Sequence, residues 1–298
     1  MSLKDVLRSL TPTVLLEWNR QRKKNNRNKY LKQQKQAGKS INKNQLVEQL
    51  KAIGIKKGDT LLVHSSLSKI GYLEEGPKTL VDALLEVIED TGNLLMPTSP
   101  NHVFQLNYIQ NTPFFDVLNS PSKTGAVTEY FRTLKGCKRS LHPTEPVSAT
   151  GPLADELTKG HFNQLTPYNK NSPFYKVAEH NGKILYIGVT LDNAGTSLHL
   201  LEDAVENFKF PVYHHQIFEI DVIDEKGVKH KVKTKVHNPE QSKKRKCDEL
   251  LPMFRKEGVC KDVKIGQANT LLFDAKKMYD VMLEQYHKNG ITMYTPKG

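Results

Sequence analysis

A histidine and a carboxylate three residues apart share one face of a helix, and Thr196-Ser197-Leu198-His199-Leu200-Leu201-Glu202-Asp203 offers such a pair. A carboxylate at Glu202 would hold the His199 imidazole in one tautomer and stabilise its protonated form, which is what a general base requires. Asp203, four residues on, is the alternative neighbour. Read alone, the pair is equally a histidine satisfied by a nearby acid with no catalytic duty. No second such pair completes a metal shell, so no metal is expected. His142 precedes Pro143 and so takes an extended or turn conformation, from which it either points into a cleft or packs as a loop residue. His64 ends an apolar run and fits the core or the edge of a cofactor site. His214 and His215 are consecutive in an expected strand and face opposite ways, so at most one can join a site.

The stretch 59–100 is the centre of the scaffold these residues need. Thr60-Leu61-Leu62-Val63-His64 is a short apolar run that reads as a buried strand. Ser65-Ser66-Leu67-Ser68 turns. Leu80, Val81, Leu84, Leu85 and Ile88 then recur at helical spacing over Thr79–Asp90, and Asn93–Met96 is a second strand ended by Pro97. Strand, helix, strand makes a right-handed βαβ unit that binds ligands at the carboxyl ends of its strands. There Ser65-Ser66 and Thr98-Ser99 offer small hydroxyl groups to a phosphate or carbonyl. Helices are also expected at Asn44–Ile53, Gly125–Leu134 with Thr124 as its cap, Pro152–Leu157, Thr196–Glu206, Lys246–Phe254 and Asp274–Lys288. Lys183–Val189 reads as a buried strand. Gln216–Ile223 and Val228–Val236 read as strands about the turn Asp224-Glu225-Lys226-Gly227. Residues 97–123 and 143–151 read as loops. The expected class is α/β: a three-layer α/β/α domain over residues 44–298 with a mixed central sheet and an antiparallel hairpin.

The net charge of +12 is unevenly spread. Residues 1–45 hold twelve Lys/Arg against two Asp/Glu, a net of +10, and 226–246 hold nine Lys/Arg against the single Glu240. Basicity confined to two segments does not describe a nucleic-acid binder, and no nucleic-acid partner is expected. Residues 1–43 are read as a basic extension, with a weakly amphipathic helix over 2–19 and a polar run from Arg20 to Lys43. A solvated arm is the first expectation; peripheral contact with an anionic membrane surface, through the Leu, Val and Trp18 anchors, and oligomer contact are the alternatives. Only Tyr30 interleaves the basic residues after Trp18, which is thin for a stacking surface. No apolar run approaches the roughly 20 residues of a membrane span, and the basic N-terminus lacks signal-peptide architecture. Three cysteines without CxxC spacing suit reduced thiols, so a cytoplasmic protein is expected. G-x-S-x-G, G-x-G-x-x-G and P-loop patterns are absent, which disfavours a serine hydrolase, a Rossmann site and an NTPase.

HSSLSKIG, the GP-x-T helix start, LLMPT, TGAVTEYFR (124–132), HPTEPVSATGPLADEL (142–157) and GKILYIGVTLDNAGTSLHLLED (182–203) occur in this order. Together they resemble the acetyl-CoA-dependent aminoglycoside 3-N-acetyltransferase family over roughly residues 45–290. The resemblance implies an N-acyltransferase that takes acetyl-CoA as co-substrate and an amino sugar as acceptor. It also implies His199 as general base with Glu202, and His142 near the thioester or acceptor. By resemblance the coenzyme falls to Ser65, Ser66, Ser68 and Lys69 and to Thr124 and Gly125; His64 and Thr98 join them as residues at the carboxyl ends of the two strands.

The acceptor is expected to depart from the family's polycations. The loop after the MP strand has no acid before Asp116, and the hairpin reads Lys229-His230-Lys231-Val232-Lys233-Thr234-Lys235-Val236-His237. Cations there would repel a polycation by about 4 kcal/mol per close pair at intermediate dielectric. An acceptor bearing phosphate, such as a nucleotide-linked amino sugar of surface polysaccharide synthesis, is therefore expected. Phe104 and Tyr108 would stack on it, and Lys235 and His237 would contact it. An aminoglycoside acceptor is one alternative. A non-catalytic α/β protein bound to membrane or RNA is the other.

Overall fold

The computed structural model describes residues 13–101 and 104–298. Its strands are β1 (Thr60–Ser65), β2 (Asn93–Pro97), β3 (Phe114–Asp116), β4 (Lys138–Arg139), β5 (Val147–Thr150), β6 (Lys183–Ile187), β7 (Phe218–Ile223), β8 (Lys229–Thr234), β9 (Cys260–Ile265) and β10 (Ala268–Asp274). The large sheet runs β4-β5-β2-β1-β6-β10-β9, and a second sheet runs β3-β7-β8. β1 is parallel to both β2 and β6, as the βαβ reading requires. β5 and β10 pair antiparallel, which makes the sheet mixed. The expected hairpin forms between β7 and β8, and β3 joins it in parallel.

The main helices are α1 (Thr13–Gln36), α2 (Lys43–Ala52), α3 (Pro77–Ile88), α4 (Gln105–Asn111), α5 (Ala126–Arg132), α6 (Ala154–Lys159), α7 (Pro173–Glu179), α8 (Leu200–Ala204), α9 (Leu251–Lys256) and α10 (Ala275–Asn289). Alternation along the strands divides them into two layers. Leu61 and Val63 pack with Leu94, Met96, Leu185 and Ile187 under α2, α3 and α5. Leu62 faces the other way with Leu95, Ile184 and Tyr186, against α7, α8 and α10. Each such fully buried aliphatic side chain contributes about 1.5–3 kcal/mol. Local signals start the helices: Asn42 and Gln45 form a reciprocal capping box on α2, and Pro77 stands in the first turn of α3.

Several expectations change. The loop 97–123 contains α4 and β3, Val147–Thr150 is a strand, and β9 and β10 were not expected. Thr124 does not cap α5. Gly125 holds the cap position at φ 143, a conformation that favours glycine, and Thr124 Oγ1 donates instead to the Pro97 carbonyl at 2.9 Å. Thr196–His199 is a 3-10 turn ahead of α8 rather than the first turn of one helix. Pro252 in the first turn of α9 likewise separates it from the 3-10 turn Cys247–Leu250.

Over its described part the basic extension is a helix with most of its side chains exposed and one face docked. α1 lays Arg27, Tyr30, Leu31 and Gln34, which share a helix face, against the domain. Arg27 Nε donates to the Ser68 carbonyl, and Tyr30 donates to Gln267 at 3.1 Å. The helix expected over 2–19 lies partly outside the described residues. Among those residues no helix is long and apolar enough to cross a membrane.

Candidate active site

β6 ends at the sheet's carboxyl edge, and the chain returns through Leu191–Ala194 into the turn that carries His199. Gly195 opens this turn because a Cβ there would stand 2.5 Å from the Leu191 carbonyl oxygen. His199 Nδ1 lies 2.9 Å from Glu202 Oε2, so the pair expected from spacing forms. Asp203 turns away, accepting from the Tyr168 backbone N–H at 3.0 Å and from Tyr213 at 2.7 Å. A second imidazole completes the cluster: His237 Nε2 lies 2.9 Å from the same Glu202 oxygen. Tyr294 donates to the other oxygen, Oε1, at 2.6 Å, and Arg245 Nε donates to the Tyr294 hydroxyl at 3.2 Å.

Burial pushes the His199 imidazole down to about 3, against the upward pull of Glu202. Burial also lowers His237. For Glu202 burial works upward, but the two imidazoles and their hydrogen bonds outweigh it and hold the carboxyl well below the ordinary range. The resting cluster is therefore a carboxylate between two neutral rings. With Nδ1–H donated to Glu202, Nε2 of His199 keeps its lone pair for a proton. The ligand atoms of His199, Glu202 and His237 lie within 4.8 Å of one another, a donor set that could enclose an ion. Their 2.9 Å contacts already satisfy one another through protons.

His199 and His237 line a cavity of about 210 Å³ with Phe104, Glu145, Asp192 and Arg245. Gln105 ties its wall together, donating to Glu145 at 2.7 Å and accepting from the His237 backbone N–H at 2.8 Å. Burial raises Glu145, and burial together with Asp248 raises Asp192. A second cavity of about 560 Å³ is lined by Ser65, Ser66, Ser68, Thr124, Gly125 and Val189, among others. The loop after β6 divides the two. Val189 faces the second cavity and Leu191 the first, while Thr196, lining the first, bonds His64 Nε2 beside Ser65.

Five of the residues assigned to the coenzyme thus meet at one cavity, and three do not. His64 is stacked on Tyr186 at 4.8 Å in the wall, its imidazole pushed down to about 3 by burial. Thr98 is sealed between Ser148, 3.0 Å away, and Arg139. Lys69 is exposed and outside the lining. His142 does not reach the first cavity; it is fully buried, stacked on His161 at 4.6 Å, with Thr144 and Glu145 amides on Nδ1. Of the residues expected at the acceptor, Phe104 and His237 reach the cavity, the latter as a partner of Glu202. Tyr108 stands beside Arg139, its phenol pushed up to about 12 by burial, and Lys235 is held through its backbone to Leu165. Tyr294, Arg245, Glu145 and Asp192 were missed. Glu145 and Asp192 lie in blocks with a recognisable sequence signal, 142–157 and 182–203; Arg245 and Tyr294 do not.

The family model for aminoglycoside 3-N-acetyltransferases matches residues 62–287. The chain is 31% identical to aminoglycoside N(3)-acetyltransferase VIII of Streptomyces fradiae, over 57% of this chain and 63% of that protein, less than two thirds of its length. A solved structure titled AAC-VIa bound to sisomicin superposes with a TM-score of 0.69 at 28% identity, covering 82% of this chain and 97% of the other. Another, titled AAC-IIIb binary with CoASH, gives 0.70 at 23% identity and covers 84% and 97%. With its βαβ centre, its paired imidazole and carboxylate and a match across most of its length, the chain belongs to the aminoglycoside 3-N-acetyltransferase family.

Proposed function

We propose that the protein is an N-acetyltransferase that moves the acetyl group of acetyl-CoA to an amine of an aminoglycoside. The observation that carries this reading is the His199–Glu202 pair, with His199 lining one cavity and the loop after β6 leading from it to a second. The larger, lined by hydroxyls and glycine, suits the coenzyme as second substrate; the smaller, with Asp192 and Glu145, suits ammonium groups. Family membership and the relatives' names support the same assignment.

An acceptor ammonium first loses a proton to solvent. Its nitrogen lone pair then forms a bond to the thioester carbonyl carbon, and the C=O π pair moves to oxygen. Nε2 of His199 takes the excess proton from the nitrogen, while Glu202 compensates the new imidazolium charge. Collapse restores C=O and breaks the C–S bond, and the thiolate recovers the proton from Nε2. No acyl-enzyme forms, so initial-rate plots should intersect; parallel lines would overturn direct transfer.

The expected cationic acceptor site does not form at the hairpin. Lys229 and Lys231 pair with Asp221 at 3.4 and 2.7 Å, away from the cavity. A nucleotide-linked amino sugar remains a second reading on one observation: Arg245 lines the acceptor cavity, and its buried Nη2 has no partner among the described residues. Thiol release from acetyl-CoA with a gentamicin-like aminoglycoside and with a nucleotide-linked amino sugar tests both. Preference for the aminoglycoside supports the first, preference for the nucleotide sugar the second. Release with neither would leave a non-catalytic protein. We also place the protein in the cytoplasm. The exposed Arg22, Lys23, Lys29 and Lys32 support peripheral contact with anionic membrane, which vesicle pelleting tests.

A further inference from the structure

We infer that helix α1, outside the span matched by the family model, is a working wall of the donor cavity and supplies its cations. The inference rests on the assignment of that cavity to acetyl-CoA. Asn28 and Leu31 of α1 line the cavity together with Ser66 and Ser68. Arg27, one residue away, reaches the Ser68 carbonyl through Nε, which leaves the rest of its guanidinium fork to other acceptors. One to two turns on, Lys35 Nζ stands 5.6 Å from the centre of the Tyr72 ring, and Tyr72 also lines the cavity. The family model begins only at residue 62.

The chemistry of the ligand makes this placement matter. Coenzyme A carries a pyrophosphate and a 3′-phosphate, which need cationic or amide donors. Yet none of the described residues lining this cavity carries a charge: they are hydroxyl, glycine, amide, tyrosine and aliphatic residues. Lys69, Arg27 and Lys35 all stand just outside the lining, but only the last two hold a lining residue, Ser68 and Tyr72, with their charged groups. Arg27 and Lys35 are cations that α1 fixes at the cavity's border, Arg27 by its bond to Ser68 and Lys35 over Tyr72. α1 therefore closes one side of the cavity with Leu31 and offers the phosphate end of the donor Arg27 and Lys35. The pantetheine arm would be held by the domain and the charged end by the extension.

The test uses the full chain, with acetyl-CoA and with S-acetylpantetheine, which has the same thioester without the nucleotide or the phosphates. Combined Arg27→Ala and Lys35→Ala should raise KM for acetyl-CoA about tenfold or more, with no matched rise for S-acetylpantetheine. The salt dependence of KM for acetyl-CoA should weaken in the same variant. Leu31→Glu, which sets a carboxylate in the cavity, should raise KM for acetyl-CoA further. An unchanged KM for acetyl-CoA in both variants, or an equal rise for both donors, would overturn the role of α1 while leaving the acetyl-transfer reading intact. Failure of the unaltered protein to bind coenzyme A in calorimetry would instead remove the donor assignment and this inference with it.

Discussion

The imidazole cluster and the second cavity, proposed above for the donor, lie on either side of one loop and are built by opposite means. The cluster gathers single residues from distant parts of the chain: His199 and Glu202 from one turn, His237 beyond the hairpin, Arg245 after it, and Tyr294 near the C-terminus. Both oxygens of Glu202 are occupied, and Tyr168 packs against His199 at 4.8 Å and His237 at 5.5 Å. The second cavity is lined by short stretches, 65–68, 71–73 and 124–127, with Gly76, Val189 and two residues of α1. Its hydroxyls differ: Thr124 Oγ1 is held by Pro97, Ser122 and Thr128, whereas the buried Ser65 Oγ has no partner among the described residues. A group that must receive a proton at a fixed point needs a rigid surround, whereas a long flexible donor needs only a smooth channel and anchors at its ends.

Substitutions should separate the two regions. The largest effect is expected from His199→Ala, which should lower turnover about 10³-fold, within the range for a general base, while coenzyme A affinity measured by calorimetry stays near that of the unaltered protein. Unaltered turnover would exclude His199 as the base. Glu202→Gln should cost about 10²-fold in turnover and also about 1–3 kcal/mol in stability, since it disturbs hydrogen bonds to two imidazoles and a phenol. Denaturant titration beside the kinetics would show whether both losses occur together.

A smaller, mirror-image effect is expected on the donor side. Gly125→Ala forces a side chain into φ 143, at a cost of about 1–3 kcal/mol. It should raise KM for acetyl-CoA more than KM for the aminoglycoside; the reverse order would misplace the cavity. The mildest change is Asp192→Asn, on the partly open acceptor side, which should raise KM for the aminoglycoside a fewfold and leave the donor KM alone.

Acid should distinguish the regions as well. His64, His142, His161, His199 and His237 are all held below the ordinary imidazole value by burial. Neutral when folded and protonated when unfolded below about pH 6.5, each contributes stability that is complete above that pH. The contribution is lost as pH falls toward the folded values near 3, at up to about 1.4 kcal/mol per pH unit for each ring. Glu202, held low, acts in the same direction; Glu145, Asp192 and Asp203, held high, act against it. The five rings and Glu202 outnumber these three, and carboxyls nearer the surface such as Asp116 and Glu129 are also held low, so acid unfolding is expected to begin below about pH 6, followed by circular dichroism. A protein fully folded at pH 4 would contradict this.

The same contrast explains which parts of the site were legible in the sequence. The βαβ centre, the hairpin and the His199–Glu202 pair depend on spacings of two to four residues, which periodicity and local motifs record. Ser65, Ser66 and Ser68 lie in one short turn and Thr124 and Gly125 in another, and family resemblance named both; the fold brings the two to one cavity. Tyr294 and Arg245 reach Glu202 only through the tertiary fold, and no local pattern marks them. His142 was misleading because a histidine before proline reads alike whether it faces a cleft or, as here, stacks on His161. β9 escaped notice because Lys261, Asp262 and Lys264 interrupt its apolar residues at a sheet edge. The lysines of β8 suggested a cationic pocket, but alternation turns them outward while Val232 and Thr234 are buried.

Glu202 is gripped at both oxygens, and the ring it steadies is almost shut off from water, with His199 only 7% exposed. A hydrogen ion captured at Nε2 therefore has no ready exit through the protein behind it. On the proposed mechanism it would leave on the cavity side of the ring, where it arrived, and pass to the departing sulfur, so each turnover would reset the base without help from the surrounding medium. Raising the buffer concentration at constant pH and ionic strength should accordingly leave the rate of the chemical step where it was.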